Sequence, residues 1–237
     1  MTSTIKEKQA QELYEKGLAD PDFNFIEGCE SLVRLNHTGY IFLAGRNWRT
    51  FDYAAGFNAL VAQANGHDLY RAGNTWPVFD YERGYKAILR LNDPETLYKC
   101  GWYWKAFDHG AGLDEMIRLK SARYLYQAGL NWKVFDFEKG GHALFRFKQA
   151  EYIFYGGTYW KVFDYRQGFD ALMATRDLEY IYKAGTRWPV FDFETAWKLL
   201  ESEVVDGERW RGLAWENPVW KKALGIIWTT LCRSHLH

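Results

Sequence analysis

The sequence predicts an all-α fold, a right-handed α-solenoid of seven 28-residue helix-turn-helix repeats with terminal capping helices. Two observations predict it. Tyr14, Phe42, Tyr70, Tyr98, Tyr126, Phe154 and Tyr182 follow one another at 28-residue intervals without an insertion, a period within the range of solenoids and propellers. Inside the unit, apolar residues recur at helical rather than alternating spacing.

Further rows run in phase. Three residues after each aromatic stands a glycine (Gly17, Gly45, Gly73, Gly101, Gly129, Gly157, Gly185), and three later a tryptophan (Trp48, Trp76, Trp104, Trp132, Trp160, Trp188), with Asp20 in the first copy. Phe23, Phe51, Phe79, Phe107, Phe135, Phe163 and Phe191 follow. Each precedes an Asp (Asp52, Asp80, Asp108, Asp136, Asp164, Asp192) or, in the first copy, Asn24. A second glycine row, Gly28, Gly56, Gly84, Gly112, Gly140 and Gly168, ends in Ala196.

In the third copy Tyr81, Gly84, Tyr85, Ala87, Ile88 and Leu91 form one stripe of a 3.6-residue helix, with Asp80 at the N-cap and Glu82 near the positive helix end. This is the second helix of a unit. The first begins at Asp93 with Pro94 at its first helical position, and Leu97, Tyr98, Gly101 and Trp104 form its stripe. Glycine within a helix costs about 1 kcal/mol against alanine, so two rows of it need a cause; close approach of neighbouring helix axes is the expected one. Helices this short are marginal alone, so each unit leans on the next. Residues 1–13 are expected to form an N-terminal cap and 14–200 the seven tandem repeats. Residues 201–237 are expected to be a degenerate C-terminal repeat or capping helix, with a linker or turn over 201–208 and Val219, Trp220, Ala223, Leu224, Ile227 and Leu231 on one helical face.

The unit order, as in Gly168-Phe-Asp-Ala-Leu with Glu179 and Ala184-Gly185, resembles a shortened ankyrin repeat from residue 14 to about 200. It departs from that pattern in length, in lacking T-P-L-H, and in placing W-x-x-F-D where the ankyrin turn lies. The resemblance implies a curved recognition surface without built-in catalysis.

Thirty basic residues balance thirty acidic ones, so net charge names no polyanionic partner. Cys29, Cys100 and Cys232 lack metal or disulfide spacing. No signal core or membrane span is read, and the expected location is cytoplasmic. The tryptophan and phenylalanine rows read as core and the aspartates as caps. His37, His67, His109, His142, His235 and His237 fall out of phase and match no metal or triad motif, His109 reading as a packing substitute. No catalytic residue, metal or cofactor is expected.

Positions that vary inside the fixed frame are the binding candidates, because the fold does not dictate them. They are Arg46, Asn47, Arg49, Trp102, Tyr103, Lys105, Asn131, Lys133, Tyr159, Lys161 and Arg187. A protein partner is the first expectation, with Trp102, Tyr103 and Tyr159 as anchors. Nucleic acid is the second, held by the Lys and Arg with the row Arg34, Arg90, Arg118 and Arg146. A HEAT-like DNA glycosylase is the enzymatic version.

Overall fold

Every residue of the tryptophan row is a helix terminator. In the computed structural model, which describes residues 2–203 and 207–234 (residues 2–4 and 227–234 by backbone alone), Trp48, Trp76, Trp104, Trp132, Trp160 and Trp188 all leave the preceding helix in extended backbone, as in Trp104 with φ −71° and ψ 143°. The described residues hold helices and no strand. The chain divides into two units, residues 1–119 and 120–237.

The first unit holds α1 (Thr2–Ala19), α2 (Phe25–Leu35), α3 (Thr38–Asn47), α4 (Tyr53–Ala62), α5 (Gly66–Thr75), α6 (Tyr81–Leu91), α7 (Pro94–Tyr103) and α8 (His109–Arg118). The odd-numbered helices pack successively, α1 on α3, α3 on α5 and α5 on α7, and each also packs on the even-numbered helix that follows it. The second unit holds α9 (Ala122–Asn131), α10 (Phe137–Phe147), α11 (Ala150–Tyr159), α12 (Tyr165–Met173), α13 (Leu178–Arg187), α14 (Phe193–Ser202), α15 (Gly207–Glu216) and α16 (Pro218–Ser234). There α9, α11, α13 and α15 pack in order, and α10 packs on α12.

The caps stand where the Asp row predicts them. Asp80 Oδ1 accepts from the Arg83 amide at 3.0 Å, and Asp52, Asp108, Asp136, Asp164 and Asp192 make the same bond, as does Asn24. This satisfies one of the orphan amides of each even-numbered helix from α2 to α14. The other end of these helices carries a row that the sequence reading did not find. Asn36, Ala64, Asn92, Lys120, Lys148 and Arg176 all have φ between 51° and 61°, a left-handed conformation that side chains other than Asn adopt at a cost. It has no glycine to announce it.

Two expectations are corrected. Trp104 is not part of the α7 stripe, since that helix ends at Tyr103. The first glycine row does not serve axis-to-axis approach. A Cβ on Gly45 would lie 2.5 Å from Trp76 Cε2, and Gly17, Gly73, Gly129 and Gly157 meet Trp48, Trp104, Trp160 and Trp188 in the same way. The next indole lies on the bare helix, and its Nε1 donates to the carbonyl of the aromatic three residues before the glycine, as Trp76 does to Phe42 at 3.1 Å. Extended backbone at the tryptophan turns the ring onto that surface. The second row seats each unit's own phenylalanine, a Cβ on Gly56 falling 2.5 Å from Phe51.

α1 continues unbroken from the N-terminal segment through Tyr14 and Gly17. At the other end α15 is a helix that no sequence signal announced, and the placement of 204–206 lies outside the described residues. Trp220, on α16, completes the pattern out of phase: it covers Gly185, donates to the Tyr182 carbonyl at 3.2 Å and is fully buried. The Ile227 and Leu231 side chains of the expected apolar face, with Cys232, His235 and His237, lie outside the described residues.

Candidate functional site

The stripe residues sit at the C-terminal ends of the odd-numbered helices and in the turns after them. In the first unit Arg46, Asn47, Arg49, Trp102, Tyr103 and Lys105 are all exposed. Asn47 donates to the Tyr14 hydroxyl at 2.6 Å, and Arg49 lies over the Phe25 ring at 5.0 Å while donating to the Pro21 carbonyl. Trp102 and Tyr103 stack on each other with centroids 4.5 Å apart and planes at 28°, yet remain 39% and 43% exposed. Tyr70 lies 6.0 Å from Tyr103 and Tyr98 5.7 Å from Trp102. These four rings form one aromatic cluster.

In the second unit Lys133, Tyr159, Lys161 and Arg187 are exposed, and Asn131 turns back to donate to the Gln127 carbonyl at 3.1 Å. Lys161 Nζ sits 5.2 Å above Phe137, so this cation also rests on the preceding unit's ring. Tyr159 joins Tyr155, 6.1 Å away, which in turn meets Tyr126 and Tyr180. Burial pushes the Tyr126 phenol up to about 12, helped by Tyr159 and Tyr155. Burial does the same for Tyr180, with Glu151 next. Both remain uncharged donors at neutral pH.

Sequence reasoning selected the last residue of each cluster and missed the tyrosines behind it. Their signal was present in the 28-residue tyrosine row, which the core reading absorbed. It also missed an exposed apolar row in the turns, Val78 in the first unit and Val134, Val162 and Val190 in the second, each about 60% exposed.

The tryptophan row is buried, and the aspartate row caps helices. His109 stands where other units carry tyrosine: its Nε2 lies 3.1 Å from the Gly101 carbonyl, matching Tyr81 on Gly73 and Tyr165 on Gly157. Of the Arg row, Arg118 pairs with Glu115 at 2.6 Å and Arg34 donates to Ser31. Cys29 and Cys100 are buried free thiols, both pushed up chiefly by burial. Among the described residues no three His, Cys, Asp or Glu side chains gather to hold a metal ion, and no helix is long and apolar enough to cross a membrane. No family model, curated protein or solved structure matches the chain.

Proposed function

We propose that the chain is a non-catalytic scaffold, a right-handed α-solenoid of seven 28-residue ankyrin-like repeats, that binds another protein through the stripe from Arg46 to Arg187. The observation that carries this is the exposed Trp102–Tyr103 stack backed by Tyr70 and Tyr98. Rigid aromatic area with polar tips is the composition of interface hot spots, because it buries much surface at small entropic cost. Restraint of Trp102 by its neighbours adds to this, since less freedom is lost on binding.

Nucleic acid is the second reading, favoured by exposed Lys105, Lys133 and Lys161. Against its strength, Lys161 already spends its charge on a ring within the fold.

The test is capture of a partner from a lysate treated with nuclease. Trp102→Ala with Tyr103→Ala is expected to abolish nuclease-resistant capture while helical circular dichroism is unchanged. Capture retained by that variant overturns the assignment of the stripe. Loss of capture on nuclease treatment of the wild type, with steep salt dependence, selects the nucleic-acid reading.

A further inference from the structure

One unit lacks a side chain that the others possess. At the position after the second glycine the copies carry Phe57, Tyr85, Leu113, Phe169 and Trp197, and the fifth carries Gly141. In three of these units the side chain is a ring set edge-on against the next unit's phenylalanine: Phe57 on Phe79 at 5.2 Å, Tyr85 on Phe107 at 5.3 Å and Phe169 on Phe191 at 5.1 Å.

Between α10 and α12 that contact is kept by a different residue. Phe145, one turn further along α10, meets Phe163 at 5.5 Å and 89°. Its position holds the smaller Val33, Val61, Leu89, Ile117 and Met173 in other copies. Phe145 does not fill the place of the missing side chain. A Cβ on Gly141 would touch only Phe145, at 3.7 Å, and a pocket of about 190 Å³ opens above it. Phe137, Phe145, Phe163 and Val162 supply its apolar lining, and the exposed Glu138, His142 and Asp164 its polar one. Asp164 stays ionised, its carboxylate held below the usual range by the Gln167 amide and side chain.

We infer that this pocket is a binding site for a small molecule built on one aromatic ring with a hydroxyl substituent. The repeat itself specifies the ring. The vacancy stands where a phenyl, phenol or indole belongs in the neighbouring units, and its remaining walls are those that pack such rings edge-to-face. A cavity of about 150 Å³ with apolar walls is sufficient for benzene, so one ring fits with room for a substituent. Edge-to-face contact adds about 0.5–1.5 kcal/mol beyond burial. The hydroxyl is specified by Glu138 and Asp164, which accept its proton, and by the His142 imidazole beside them. This site does not depend on the stripe of the scaffold reading.

The probe is 4-fluorophenol titrated into the full chain and followed by fluorine NMR, with the His142 ring resonances followed in parallel. Saturable binding is expected, together with a shift of the His142 signals. Gly141→Phe combined with Phe145→Val, which rebuilds the Phe57 and Val61 pairing, is expected to weaken binding about tenfold or more while leaving the helical spectrum intact. Absence of saturable binding to the wild type overturns the inference, as does equal binding by the refilled variant. Should the refilled variant fail to fold, the wild-type His142 signals decide alone: binding that leaves them unmoved places the ligand elsewhere and overturns the site.

Discussion

Gly45 and Gly212 are both helical glycines, and only their surroundings separate them. The Cβ of Gly45→Ala would meet the fused ring of Trp76 at 2.5 Å, a buried group that cannot move aside without losing its bond to Phe42. Overpacking of this kind costs about 1–3 kcal/mol. Gly212 has nothing within 4 Å of the added carbon, so Gly212→Ala is expected to stabilise by about 1 kcal/mol through helix propensity. Urea denaturation of both variants checks the opposite signs. Equal effects would mean that the indole does not dictate the first glycine row.

The even-numbered helices are held at both ends, and the two ends respond differently to change. At the C-terminal end, Ala64 carries φ 51°, a conformation that is strained for alanine and free for glycine. Ala64→Gly is therefore expected to raise stability by about 1 kcal/mol, read as a higher midpoint in thermal unfolding; a lower midpoint would refute the strain. At the N-terminal end the Asp164 carboxyl is lowered by its bonds to Gln167. At Asp192 burial works upward, but the Thr195 amide and hydroxyl outweigh it. A folded-state value below the unfolded one means that the caps stabilise above the unfolded pKa, near 3.8, and lose their contribution as pH falls through the folded one. Stability is expected to drop on the acid side below about pH 4, and Asp164→Asn with Asp192→Asn should flatten that drop. An unchanged acid limb would show that the caps do not set it.

The stack of helices within the second unit closes on a residue out of register. Trp220 buries Gly185 and makes edge-on contacts with Phe191 and Phe193 at 5.5 and 5.1 Å. Neighbour coupling is the main source of stability for short helices in such a stack. Trp220→Ala is expected to cost about 3–5 kcal/mol, similar to Trp188→Ala, measured by chemical denaturation. A loss under 1 kcal/mol would show that α16 is a loose appendage.

Helical class, element positions and caps were readable along the chain because their causes are local. An Asp accepts from an amide three residues on, and apolar spacing of 3.6 is visible in any window. The rows of glycine and tryptophan were equally visible, but their relation was not. The indole bonds a carbonyl 34 residues away, a contact with no signature at either end, and so the glycines were assigned to helix approach instead of ring seating. Trp220 escaped because extra residues shift its phase, the left-handed row because no glycine marks it, and the tyrosine clusters because a row can face core and solvent at once. The vacancy at Gly141 is the sharpest case. A missing side chain is legible in the alignment of the copies, but whether Phe145 closes the space or leaves it open depends on where one ring comes to rest in the packed chain.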